Sequence, residues 1–195
     1  MKWEDDLVKI IGLGGLSESG KSYSGSYLSK RHSIPRVKIV KYIEKFRVDY
    51  FKEEINLEDF HRYLYDTPNK FTEFFLEKMI QKLKDEYGSY PFIVVESLRD
   101  PFFGEYFKKV LKEDFIVIYL EARFEDRVER EAIKTGKDTS EISRLVYEKD
   151  ITKVSQGALK YQELADYSID NHSSIENLNL ELDKIVTSIM DLTNK

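Results

Sequence analysis

Gly15 to Ser22 reads GLSESGKS and satisfies the spacing G-x-x-x-x-G-K-[ST]. The chemistry of such a stretch is phosphate binding. Glycines let backbone N–H groups turn inward around phosphate oxygens, and a helix starting there adds partial positive charge. Lys21 can reach the β and γ oxygens of a triphosphate, and the Ser22 hydroxyl can ligate Mg²⁺. The candidate phosphate-binding positions are Gly15, Ser17, Ser19, Gly20, Lys21, Ser22 and Tyr23. Glu18 is the unexpected member, because a carboxylate beside phosphates costs energy unless it faces away.

The chemistry requires a strand before the loop and a helix after it. Leu7 to Leu13 is a short apolar run ended by glycines, and "GKSYSGSYLSKRH" reads as a helix. Those flanks disfavour the plain alternative of a glycine-rich turn with a surface lysine. Further along, "IPRVKIVKYI" (Ile34 to Ile43) is β-branched and predicts a second strand, and Phe46 to Tyr65 reads as helical. "TPNKFTEFFLEKMIQKLKDEYG" predicts a helix with Thr67 as cap, Pro68 in its first turn, Phe71, Phe75, Met79 and Leu83 on its apolar face, and Gly88 as its stop. Buried strands follow at Pro91 to Ser97 and Phe115 to Ala122, with a helix between them capped by Asp100 and opened by Pro101. A charged helical segment broken near Gly136 comes next, then a last strand at "DYSID". The final helix has Ser173 and Glu176 at capping-box spacing and a stripe of Ile175, Leu178, Leu182, Ile185 and Ile189. Strands alternating with helices imply a parallel sheet covered on both faces.

Bulk composition narrows the function classes. The 195 residues suit one substantial core, and 41% hydrophobic with 34% charged residues is ordinary for a globular domain. A net charge of −5, with both signs interspersed, argues against nucleic acid or a membrane surface as partner. No cysteine is present and the three histidines are far apart, which removes zinc and disulfide chemistry. The acidic start "MKWEDDLVKI" does not read as a signal peptide, and no stretch approaches a membrane span, so a cytoplasmic location is the default expectation. An N-K-x-D guanine motif is absent, which argues against a GTP-dependent switch.

Four stretches together resemble the P-loop nucleotide kinases, especially dephospho-CoA kinases and deoxynucleoside monophosphate kinase-like proteins. They are "IIGLGGLSESGKS", "FIVVESLRDPFFGEYF", "IYLEARFEDRVERE" and "LADYSIDNHSSIENLNLELDKI". The resemblance implies a three-layer α/β P-loop NTPase fold with a five-stranded parallel sheet, helices on both faces and a helical lid. A single domain, 1–195, would carry an acceptor-binding region at about 44–88 and a lid at about 124–157. It also implies ATP and Mg²⁺ as cofactors. Glu96 stands where the family usually has Asp, able to hold Mg²⁺ with Ser22 or to orient the acceptor. Arg99 matches an arginine whose planar fork grips phosphate. Arg127 and Arg130 match lid arginines, and at i and i+3 they share one helix face. The motif R-D-x-x-E of the lid's return helix is here "KDITK", with Lys149 in place of the arginine and Lys153 reversing the usual glutamate; Arg144 is a candidate for the missing guanidinium. Asn171, in the loop matched to the adenine contact, would act through its backbone, and His172 beside it has the weaker claim. Arg47 and Asp49 lie where an acceptor-binding helix would begin.

The expected reaction is transfer of the ATP γ-phosphate to a nucleotide-type acceptor, such as a nucleoside or deoxynucleoside monophosphate or a dephospho-CoA-like molecule, by a monomer or homodimer. The rival from another class is a nucleotide-binding regulator that keeps the loop without transferring. A P-loop ATPase coupled to motion ranks third, since no second domain or bridging arginine motif is evident.

Overall fold

The computed structural model describes residues 8–52, 54–65, 70–98 and 100–193. Strands β1 (Lys9–Gly14), β2 (Arg36–Lys38), β3 (Phe92–Glu96), β4 (Phe115–Glu121) and β5 (Tyr167–Asp170) form one parallel sheet in the order β2-β3-β1-β4-β5. Successive strand residues point to opposite faces, and here both faces are apolar. Ile93 and Val95 of β3 enter one core while Phe92 and Val94 enter the other, and Val117 and Ile118 of β4 divide the same way. On the first face pack helices α2 (Ile39–Phe51), α3 (Leu57–Tyr65), α4 (Lys70–Tyr87) and α5 (Pro101–Leu111). On the second pack α1 (Lys21–His32) and, at the chain's end, a long helix (Ile175–Thr193). Between β4 and β5 lie α6 (Phe124–Thr135), α7 (Thr139–Ser155) and the short α8 (Lys160–Glu163); the long last helix is α9. Val128, Ile142 and Val146 give α6 and α7 a small core of their own.

The five strands and the helix-covered parallel sheet match the expectation from sequence, with local corrections. β2 is only three residues long, and the chain is helical from Ile39, not extended to Ile43. The reason is spacing: Ile39, Ile43 and Phe46 are buried at i, i+4 and i+7, a helical stripe that the β-branched composition disguises. The helical reading of Phe46 to Tyr65 resolves into parts of α2 and α3, with Asn56 accepting from the Asp59 N–H at 2.9 Å to open α3. Phe75, Met79 and Leu83 are buried on α4 as expected, while Thr67 and Pro68 lie outside the described residues. Asp100 caps α5 through the Phe102 N–H at 2.7 Å. At α9 the helix starts at Ile175, so the cap is Ser174, whose hydroxyl accepts from the Asn177 N–H at 3.4 Å. Ile175 itself is exposed, and Val186 joins the buried stripe.

The functional consequence is placement. β1 is central, and the register sets Gly14 beside Tyr119 and Lys38 beside Glu96. The glycine loop, Glu96 and the segments after β4 and β5 therefore meet at the carboxyl end of the sheet, where parallel sheets bind ligands. Among the described residues no helix is long and apolar enough to cross a membrane.

Candidate functional site

The loop leaves β1 and enters α1 through Gly20, whose φ of 107° belongs to the left-handed region. A side chain there is excluded for a second reason, since a Cβ on Gly20 would lie 2.6 Å from Asn171 Nδ2. That amide donates to Ser19 O at 2.9 Å, so the buried Asn171 side chain supports the loop. The adenine-contact expectation for this residue concerned only its backbone; its carbonyl accepts from Arg130 at 2.6 Å.

Lys21 begins α1 and turns back over the loop. Its ammonium donates to Gly15 O at 2.7 Å, to Leu16 O, and to Ser19 Oγ at 3.3 Å. Burial, then the positive charges of Lys153 and Arg127, pull its pKa from the ordinary 10.5 to about 7, against the opposing carboxylates of Glu18 and Asp150. Ser22 Oγ lies 3.4 Å from Glu96 Oε2. Glu96 is 2% exposed, and Arg36 grips both its oxygens, Nε on Oε1 and NH2 on Oε2 at 3.0 Å. Tyr23 is partly exposed, its hydroxyl donating to Asn179 Oδ1 at 3.1 Å.

Gly25 explains how Glu96 fits. A Cβ on Gly25 would fall far inside the van der Waals contact distance of Glu96 Oε1. In a helix interior Gly→Ala ordinarily stabilises by about 1 kcal/mol. Here Gly25→Ala should instead cost about 1–3 kcal/mol in urea unfolding, the range for overpacking. A stabilised variant would show that the carboxylate does not pack there.

The other wall comes from α6 and α7. Arg127 is 4% exposed and braces the loop from beneath. Its NH1 donates to Ser17 O at 2.9 Å and to Asp150 Oδ2 at 2.6 Å, while Asp150 Oδ1 accepts from the Ser17 N–H at 3.2 Å. Glu18, with a left-handed φ of 54°, is met by Lys134 and Lys149, each at 3.7 Å, and both lysines also reach Glu131. Those ion pairs answer the charge problem that Glu18 poses. Arg130, Lys134 and Lys153 join Gly15, Lys21, Ser22 and Tyr23 in lining a cavity of about 370 Å³. Arg130 NH1 has no hydrogen-bond partner among the described residues.

A larger cleft, about 1020 Å³, opens beside it between α3, the start of α5 and the end of α7. The two are lined by neighbouring residues of the same two segments. Ser97 and Leu98 line the smaller cavity and Asp100 and Pro101 the larger; Lys153 and Ala158 line the smaller, Thr152, Val154 and Gly157 the larger. In the larger cleft, burial pushes the Asp100 carboxyl up to about 6, with the Phe102 N–H opposing.

Of the remaining sequence candidates, Arg99 lies outside the described residues. Arg47 is engaged by Glu44 and by Ile55 O at 2.7 Å, and Asp49 lines a separate groove of about 480 Å³ between α2 and α4. Arg144 is exposed, faces Glu148 at 3.8 Å and is not among the residues lining the cavity. His172 Nδ1 accepts from the Arg123 N–H at 3.1 Å. Arg36 and the Arg127–Asp150 brace are the parts that motif reading does not find. Asp150 alone left a trace, as the one residue of "KDITK" that keeps the R-D-x-x-E pattern.

Comparison with known proteins agrees on architecture. Protein TT1252 of Thermus thermophilus superposes with a TM-score of 0.61 at 18% identity, covering 92% of this chain and 97% of that one. A gluconokinase from Sinorhizobium meliloti 1021 gives 0.56 at 16% identity, over 97% and 98% of the two chains. A shikimate kinase from Acinetobacter baumannii, in complex with shikimate, gives 0.55 at 14%, over 94% and 95%. The fold is the three-layer P-loop NTPase fold. In this chain GLSESGKS lies between β1 and the first turn of α1. A UPF0200/UPF0201 protein of Archaeoglobus fulgidus is 32% identical over 101 residues, which is 51% of this chain; the chain spans only 31% of that relative's length. No protein-family model matches the chain.

Proposed function

We propose that the chain is an ATP-dependent phosphotransferase that moves the γ-phosphate to a small polar acceptor. The acceptor class read from the sequence is nucleotide-like. The observation that carries this reading is that the loop cavity and the larger cleft are lined by neighbouring residues of the same two segments, the one after β3 and the one from the end of α7 to Ala158. A donor held at Lys21 and an acceptor bound from the cleft would be brought together by those segments, and in-line transfer needs little beyond such positioning and charge neutralisation. The kinase names of two fold neighbours point the same way.

Magnesium fits the loop. Ser22 Oγ and Glu96 Oε2 are adjoining hard oxygens, the donors that ion takes, and these two residues would hold it. When bound it would neutralise charge on the β and γ oxygens. Arg36 meanwhile orients Glu96, Lys21 binds phosphate oxygens, and Arg130 offers NH1.

The alternative, a nucleotide-binding regulator without transfer, draws on one observation: Arg36 already engages both oxygens of Glu96. The experiment is a radiolabelled γ-phosphate transfer assay with Mg-ATP against nucleoside and deoxynucleoside monophosphates, dephospho-CoA, shikimate and gluconate. The kinase reading expects a labelled product with one acceptor class at well above the rate of ATP hydrolysis. Tight Mg-ATP binding with no labelled product would favour the regulator.

A further inference from the structure

α7 delivers three charged side chains to the P-loop within about one turn. Asp150 is buried with Arg127, and Lys149 meets Glu18 and Glu131. Lys153 lies three residues beyond Asp150 and so shares its helix face. It lines the loop cavity, and of the charges that act on Lys21 its own is the strongest. Lys21 and Lys153 thus reach one small cavity, lined also by Arg130, Lys134 and Glu18, from different elements, α1 and α7. Their mutual repulsion becomes attraction when a polyanion lies between them. Arg127, one of the two arginines matched to the lid, is committed to Ser17 O and Asp150 and does not line that cavity.

We propose that Lys153 is a cation of the donor site, contacting the terminal phosphate of a bound triphosphate from the α7 side, across from Lys21. The proposal rests on the phosphotransfer reading above. In the transfer, the acceptor oxygen bonds to the γ-phosphorus as the bond from that phosphorus to the β–γ bridging oxygen breaks. ADP leaves with the electron pair, and the acceptor's proton passes to water. Charge grows on the bridging oxygen and is shared with the γ oxygens, where a lysine on the opposite wall complements the P-loop lysine. In the kinases that the lid segment resembles, this position carries a glutamate, so the charge has the opposite sign here.

The test is titration calorimetry of Mg-ATP and Mg-ADP with the intact chain and its Lys153→Ala, Lys153→Arg and Lys153→Glu variants. Lys153→Ala should weaken Mg-ATP by about tenfold, the worth of one charge-assisted hydrogen bond, and Mg-ADP by less than about twofold. Lys153→Arg should recover most of the ATP affinity, and Lys153→Glu should fall below the alanine variant. Equal losses for both nucleotides, or no loss for either, would overturn the proposal, because a structural role in α7 cannot distinguish a γ-phosphate. If the unmodified chain binds neither nucleotide, the phosphotransfer reading itself fails.

Discussion

Arg127→Met should destabilise the protein by about 3–5 kcal/mol, the penalty for leaving one member of a buried ion pair without its partner. Arg127 is 4% exposed, and its guanidinium meets Asp150 Oδ2 at 2.6 Å, Ser17 O at 2.9 Å and Ala122 O at 3.2 Å. Truncation leaves the Asp150 carboxylate, among the described residues, with the Ser17 N–H at 3.2 Å as its hydrogen-bond donor. It also frees two carbonyls in a place water enters poorly, and it removes the guanidinium from the Phe124 ring 5.5 Å away. Urea unfolding measures the loss. The double variant Arg127→Met/Asp150→Leu should recover part of it, because replacing both charges removes the desolvation cost along with the attraction. A single-variant loss below about 1 kcal/mol would mean the pair is hydrated and does not brace the loop.

That brace shows where sequence reading stops. Arg127 and Arg130 share a face at i and i+3, and spacing alone assigns them the same task. The structure separates them: Arg127 lies under the loop, whereas Arg130 lines the cavity. The difference comes from Asp150, which is 23 residues away in sequence, where a motif match marks it but nothing pairs it with Arg127. Arg36 is a similar case. It is a single arginine on a three-residue strand, and only the pairing of β2 with β3 brings it to Glu96, 60 residues on. The phosphate loop, by contrast, was legible because every element of its pattern lies within eight residues, and β3 and β4 because a strand buried on both faces is apolar throughout. The β2–α2 junction was not. Ile34 to Ile43 has strand composition, and its helical half is visible only as the stripe Ile39, Ile43, Phe46, which extends past the segment's end.

Glu18 links the glycine loop to the helices of the Arg127–Asp150 brace. A left-handed non-glycine residue in a phosphate loop costs backbone energy, and its carboxylate repels phosphate. Its ion pairs with Lys134 and Lys149 offset the charge and link the loop to α6 and α7. Lys134 also lines the cavity, so a bound polyphosphate and Glu18 would compete for one ammonium. The loop's charge is therefore set by elements more than a hundred residues downstream as much as by its own sequence.

Lys21→Ala should lower Mg-ATP affinity or turnover by roughly 30-fold to several thousand-fold, the equivalent of about 2–5 kcal/mol for truncating a buried hydrogen-bonded charge. Its effect on unfolding should be small, because it removes an ammonium that burial and the charges of Lys153 and Arg127 already disfavour. The same depressed pKa gives a second measurement with a definite sign. Free Lys21 titrates at about 7, so at pH 8.5 it is mostly neutral. A polyphosphate against it raises the pKa toward the ordinary lysine range or above, so the bound form is protonated at that pH. Binding must then take up nearly one proton per nucleotide, and affinity must fall by up to about tenfold for each pH unit above 7 until the bound-state pKa is reached. Calorimetry in buffers of different ionisation heat reads the uptake directly, and Lys21→Ala should abolish it. Proton release on binding, or an uptake that survives Lys21→Ala, would assign the titration to another group and remove Lys21 from the phosphate.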